Sequence, residues 1–150
     1  MALTSLRRIF ADELPKFGIE NLKTLTYSKE CSTLLLRKNA EVLGGMVYRI
    51  LPNAAAELCL CAIHKNHHCK GYGTFMMRAF QRHLFANNIT SIVTAADQGA
   101  VGWFRKMDFR HESEENKWKG IIKEIKHGVF MMCKLQLVIG KNSTRPSRDF

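Results

Sequence analysis

Residues 57–80 read ELCLCAIHKNHHCKGYGTFMMRAF, and the fold is decided by this stretch. Glu57 to Ile63 is an apolar strand and His64 to Cys69 a polar turn. Gly71 and Gly73 then stand one residue apart before a helix that opens on Thr74 and carries Met76 and Phe80 at helical spacing. A helix start offers backbone N–H groups without partners and the positive end of a dipole, so strand, glycine turn and helix together suit a ligand bearing phosphate. Lys70 adds a charge there. The turn lacks the length of a Walker loop and the third glycine of a dinucleotide fingerprint, and by itself Gly-x-Gly is equally a plain turn.

On the N-terminal side, Leu6, Ile9, Phe10 and Leu14 recur at helical spacing after Thr4 or Ser5, either of which suits a cap, and Pro15 stops the run. Ile19, Leu22 and Leu25 predict a second, short helix. Thr33–Arg37 and Val42–Ile50 predict a hairpin turning at Lys38, Asn39 and Ala40, with Gly44 and Gly45 marking a bulge or a close backbone approach. Strict alternation puts Glu57, Cys59 and Cys61 on one face of the next strand and Leu58, Leu60 and Ala62 on the other.

On the C-terminal side, the helix through Met76, Phe80 and Leu84 ends near Asn87 and Asn88, and Ile89–Ala95 is a strand running into Asp97, a turn or cap residue. Gln98–Lys106 reads as a helix with Ala100, Val101 and Phe104 inward. A polar loop (HESEEN) precedes Lys117–Ile125, whose form the pattern leaves open. Val129–Val138 reads as a long final strand. The order is that of an α/β domain with a mixed sheet over residues 1–139, followed by a mobile tail, 140–150, rich in Ser, Pro and Arg.

A chain of 150 residues with 46% hydrophobic content forms one domain with a sizeable core. It has neither an apolar run of roughly 18 residues nor a secretory signal pattern, so an intracellular protein without a membrane span is expected. Five cysteines, an odd number, are expected as reduced thiols. A net charge of +10 favours an acidic partner or setting, such as nucleic acid, chromatin or an anionic cofactor, and the scattered basic residues do not choose among these. His64, His67, His68 and Cys69 are close in sequence, but they lack a second ligand pair at metal-site spacing and fall on the phosphate turn, so no metal is expected. Trp118, in KWKGIIKEIK, reads as a half-buried anchor rather than a nucleic-acid contact.

Six segments taken together, LRRIFADELPK, VLGGMVYR, AELCLCAI, KGYGT, TAADQGAVGWFRKMDF and GVFMMCKL, resemble the GNAT superfamily of acetyltransferases, and more narrowly the PCAF-type nuclear histone acetyltransferases. The resemblance runs over about residues 3–137 in the family's order. It implies a mixed central sheet with splayed central strands flanked by helices, and acetyl-CoA as cosubstrate. It also implies direct transfer to a lysine ε-amine of a histone tail, a nuclear location, and membership of a larger chromatin-modifying complex. Glu57 takes the place of the general base. The backbone of Cys61, Ala62 and Ile63 takes the place of the pantetheine-pairing strand. His68, Cys69, Lys70, Gly71, Tyr72, Gly73 and Thr74 take that of the pyrophosphate loop, and Gly99, Ala100, Trp103 and Phe104 line the far side of the cofactor.

The implied chemistry needs a base, since deprotonating a lysine of pKa about 10.4 near neutral pH costs roughly 4 kcal/mol. Glu57 is therefore expected among apolar neighbours, which make a carboxylate a better proton acceptor, and a backbone N–H near Cys61 or Ala62 is the expected donor to the developing oxyanion. The sequence departs from the family pattern at His68, where Gln or Arg is usual, and at Ala95 and Gly99, where close relatives carry tyrosine. Phe104 stands where many other members have a tyrosine acid, an absence that histone-type members share. The chain also begins almost at the family's first helix, so the family's first strand is expected to be missing. Two other readings stand beside the first: a degenerate member that binds acetyl-CoA or a partner without turnover, and an enzyme for a small amine.

Overall fold

The computed structural model describes residues 2–111, 118, 121–122 and 128–143. Five strands, β1 (Ser32–Lys38), β2 (Glu41–Leu51), β3 (Ala55–Ile63), β4 (Ser91–Ala96) and β5 (Val129–Lys134), form one mixed sheet in sequential order. All neighbours are antiparallel except β3 and β4. Helices α1 (Ala2–Glu13) and α2 (Ile19–Tyr27) cover one face, where Leu6, Ile9, Phe10, Leu22 and Leu25 pack on Val47, Leu60 and Ala62. The other face carries α3 (Tyr72–Ala86), α4 (Val101–Lys106) and α5 (Leu135–Ser143), whose buried residues include Met76, Met77, Phe80, Leu84, Phe104 and Leu135. The mixed α/β sheet flanked by helices is as expected.

Helix α3 forms because Met76, Phe80 and Leu84 recur every fourth residue and bury one stripe, with the Phe80 ring edge-on to Tyr48 at 4.9 Å. It begins at Tyr72 rather than Thr74, so Gly73 lies in its first turn. Helix α1 likewise begins before Thr4, which therefore does not cap it, and Pro15 opens a short 3₁₀ turn after its end. Asp97 accepts a hydrogen bond from the Gly99 N–H at 3.1 Å and opens the 3₁₀ turn Gln98–Ala100 ahead of α4.

Two bulges reshape the central strands. The β1–β2 register passes from Leu36↔Gly44 to Arg37↔Val42, leaving Leu43 as the extra residue, and β2 also makes the close approach expected at its glycines. A Cβ on Gly44 would lie 2.4 Å from the Ala62 carbonyl oxygen. Backbone cannot yield there as a flexible side chain does, so Gly44→Ala should destabilise the domain by about 1–3 kcal/mol, read as a lower urea midpoint.

The second bulge corrects the face assignment of β3. Val47 pairs with Leu60 and Tyr48 with Leu58, so Cys59 is the extra residue and the alternation reverses across it. Leu58 and Cys61 pack with the α3 side, while Cys59, Leu60 and Ala62 pack with the α1–α2 side. Glu57, Cys59 and Cys61 therefore do not share a face.

The final strand is shorter than expected. After Lys134 the chain turns into α5, which packs along α3 with Leu135 fully buried. Residues 140–143, expected in the tail, continue that helix. Residues 144–150, the loop at 112–116 and most of Lys117–Ile125 lie outside the described residues. Trp118 is half-buried against the cluster of Leu51, Val93, Ile122 and Phe130.

Candidate active site

Strand β3 pairs with β4 only through Ala55↔Ser91, Ala56↔Ile92 and Glu57↔Val93. Beyond that point the two strands diverge, their fork held by a Thr94 hydroxyl that donates to the Leu58 carbonyl at 2.9 Å. Among the described residues three cavities lie along β3, and between them they take in every expected site residue except Lys70 and Gly99.

The largest cavity, about 560 Å³, is walled by Cys61, Ala62 and Ile63 at the end of β3, by His68, Cys69, Gly71, Tyr72, Gly73 and Thr74, and by Trp103 of α4. Gly71 holds φ +83, a left-handed backbone that glycine adopts without cost, and this turn aims the start of α3 at the cavity. The first helical hydrogen bond of α3 runs from Phe75 N–H to the Gly71 carbonyl at 3.0 Å. The N–H groups of Tyr72, Gly73 and Thr74 precede it, at the positive end of the dipole, which suits a diphosphate. His67, weighed in the sequence only as a metal ligand, and Lys106, not expected at the site, also line this cavity, while Lys70 and Gly99 are not on its wall.

The histidines of the turn are each engaged separately. His64 Nδ1 accepts from Asn66 N–H, His67 pairs with Glu41 at 3.2 Å, and His68 donates Nε2–H to the Ile63 carbonyl at 2.6 Å. Among the described residues no three His, Cys, Asp or Glu side chains converge as metal ligands.

A narrow cavity of about 80 Å³ fills the fork itself. Leu58, Cys61, Thr94, Ala95, Ala100 and Phe104 line it, and Leu14 and Phe17 close it from the α1 side. The Lys16 ammonium reaches Asp97 across the same opening at 2.8 Å and, with the Gly99 N–H, holds that carboxyl below its ordinary range. Phe104 stacks edge-on between Trp103 and Phe109, both at 5.1 Å, as a packing residue without a proton to give.

Glu57 opens onto a third cavity, about 400 Å³, on the other side of the fork. Its wall includes Thr24, Ser28, Glu30, Cys31, Arg49, Cys59 and Ile121. Glu57 is only 2% exposed, but its carboxylate does not face apolar groups alone. Arg49 donates Nε–H to Oε1 at 2.5 Å and a second N–H to the Ile121 carbonyl. Burial works against the Arg49 charge, yet its hydrogen bond and charge contact with Glu57 outweigh that and hold it above its ordinary range. Sequence reading missed Arg49. The signal was the hairpin at Pro52–Ala54: pairing outward from Leu51↔Ala55 places Arg49 opposite Glu57.

Residues 3–109 match the acetyltransferase (GNAT) family. A structure of Tetrahymena GCN5 superposes with a TM-score of 0.83 at 34% identity, covering 89% of this chain and 86% of that one. The chain belongs to the GNAT acetyltransferase family. Within it the chain is GCN5-like: histone acetyltransferase GCN5 of Debaryomyces hansenii is 35% identical over 140 residues, and that of Oryza sativa subsp. japonica 33% over 137. These matches cover 90% and 89% of this chain but only 31% and 27% of those relatives, so the chain spans about a third of their length or less. The catalytic domain of Tetrahymena GCN5 histone acetyltransferase in complex with coenzyme A matches at 33% identity with a TM-score of 0.71, covering 89% of this chain and 83% of that one. Among the described residues of this GNAT domain no helix is long and apolar enough to cross a membrane.

Proposed function

We propose that this GNAT domain acetylates the ε-amine of a lysine in a histone-like tail, by direct attack in a ternary complex, with Glu57 as general base. The observation that carries this reading is the position of Glu57, buried at the last β3–β4 pair between the fork and a separate cavity large enough for a side chain. The likeness to GCN5 histone acetyltransferases supports it. A nuclear location and partner subunits of a chromatin-modifying complex belong to the same reading, while direct binding of nucleic acid does not.

The cavity at the start of α3 fits the cosubstrate. Backbone groups of Cys61, Ala62 and Ile63 on the open edge of β3 would hold the pantetheine arm, and the amides from His68 to Thr74 the diphosphate. When bound, acetyl-CoA supplies an activated thioester carbonyl. The chain itself excludes water from the fork with Leu14, Phe17 and Phe104, and a β3 N–H near Cys61 or Ala62 would face the developing oxyanion. On the other side Glu57 takes the proton from the incoming ammonium. Glu30 also lines this cavity, a further carboxylate beside the Arg49–Glu57 pair on the path of the incoming ammonium.

A second reading, a domain that binds acetyl-CoA or a partner without turnover, draws on the Arg49 ion pair, which engages the carboxylate needed as proton acceptor. A substrate panel decides. Histone-tail peptides should be acetylated at least about tenfold faster, in kcat/KM, than polyamines or aminoglycosides, a difference of roughly 1.4 kcal/mol in transition-state binding. Equal rates on all acceptors would remove the histone-tail assignment in favour of a small-amine enzyme. Coenzyme A binding with no acetylated product would establish the non-catalytic reading.

A further inference from the structure

The two edges of the sheet are finished differently. On the outer side of β5, Arg110 and Met132 exchange backbone hydrogen bonds, both 2.8 Å, so that edge is partly paired. The outer side of β1 has no such partner among the described residues. Its middle, Leu34–Leu36, also carries none of the devices that keep a free edge from pairing, such as a proline, a charge or a bulge. Arg37 and Lys38 stand at one end, where the bulge also lies.

The direction of the free groups follows from the neighbouring strands. His64 N–H donates to the Leu43 carbonyl at 2.7 Å, so the backbone groups of Ile63 point away from β2, and those of Gly44, its partner in the ladder, point to β1. Gly44 stands opposite Leu36 and Met46 opposite Leu34. Alternation then turns the N–H and C=O of Leu35 and Thr33 outward. The side chains are apolar on both faces: Leu34 and Leu36 pack on the α3 side and Leu35 on the α1–α2 side, all three half-buried.

Such a strand fits a second copy of itself. In an antiparallel pairing centred on Leu35, that residue meets the partner's Leu35, Leu34 the partner's Leu36, Thr33 the partner's Arg37 and Ser32 the partner's Lys38. Each cation faces a hydroxyl, and like charges of the two copies lie about 14–20 Å apart along the ladder, beyond a Debye length of about 8 Å. A shift of one residue would set outward groups against inward ones, so the register is fixed. The two-fold axis stands normal to the sheet and keeps both α3 helices on one face. Lys38 Nζ reaches the Tyr72 hydroxyl at 3.5 Å, which brings the first turn of α3 beside this edge, and Phe75, one turn on, is 61% exposed.

We propose that β1 is where two copies of this domain join, edge to edge and antiparallel about Leu35, into one continuous sheet. The contact is isologous and uses both β1 edges, and Arg110 occupies part of the β5 edge, so assembly stops at the pair.

The test is sedimentation of the whole chain over a concentration series, at moderate salt to screen the repulsion between two chains of net charge +10. The mass should pass from 17.2 kDa to twice that value, and amide hydrogen exchange should slow at Thr33 and Leu35 as it does. Thr33→Lys sets a cation against the partner's Arg37, twice by symmetry, and should raise the dimer Kd about tenfold, while adding Arg37→Glu should restore it. Leu35→Pro removes an outward donor without touching the β1–β2 ladder and should weaken the dimer as well. Coenzyme A binding by each variant reports that it is folded. A chain that stays monomeric, or a dimer that Thr33→Lys and Leu35→Pro both leave unchanged, would overturn the proposal. Protection of Leu35 only when histone-tail peptide is added would assign the edge to another protein and overturn it too.

Discussion

Glu57→Gln is expected to lower kcat for peptide acetylation by roughly 10²–10⁴-fold while leaving the affinity for coenzyme A unchanged. The carboxamide keeps the shape of the side chain and can still accept a hydrogen bond from Arg49, but it has almost no capacity to take a proton. Coenzyme A affinity should hold because the cavity walled by Ile63, Gly71 and Trp103 does not include residue 57. The pH profile separates loss of the base from general damage. Without an internal base the reaction draws on the small neutral fraction of free lysine, so the variant's rate should climb about tenfold per pH unit toward the lysine pKa near 10.4. A variant within threefold of the parent at neutral pH would exclude Glu57 as the base. Stopped single-turnover assays across pH 6–9.5 make the comparison.

Arg49→Ala should have the second largest effect, on both stability and rate. Removing one partner of a fully buried ion pair typically costs 3–5 kcal/mol, and because the Arg49 side chain is 30% exposed, we expect about 2–3 kcal/mol in urea unfolding. The substitution also cuts the tie to the Ile121 carbonyl, and with it one wall of the cavity beside Glu57. KM for the peptide should therefore rise along with the fall in kcat. Arg49→Lys retains the charge but not a fork that reaches Glu57 and Ile121 at once, so it should recover stability better than KM. Equal behaviour of the two variants would show that charge alone matters here.

What the sequence disclosed follows from which forces are local. Helix α3 and the β1–β2 hairpin were legible because side-chain period and turn residues act within a few positions, and the match to an acetyltransferase rested on segments whose order survives any error of register. The Cys59 bulge was not legible, since an extra residue in a ladder has no residue type of its own and appears only once β2 is set against β3. Leu135–Val138 was misread for a different reason. Its Leu and Val side chains continue the apolar run of the strand before it, and what makes it helical is docking along α3, a partner some sixty residues away. The same limit hid Arg49. The sequence marked Glu57 as a buried acid, whereas its cation became visible only across the hairpin, eight positions away.

The brief union of β3 and β4 makes this sheet two plates joined by a three-pair seam. A molecule lying in the gap and touching both plates would act as mortar, adding RT ln(1 + [L]/Kd) to the cohesion of the whole, about 2.7 kcal/mol at a hundredfold excess over Kd. Nucleotide occupancy would then set the mechanical integrity of the domain as well as its readiness to react, and a cell poor in thioester would hold it in its more fragile form.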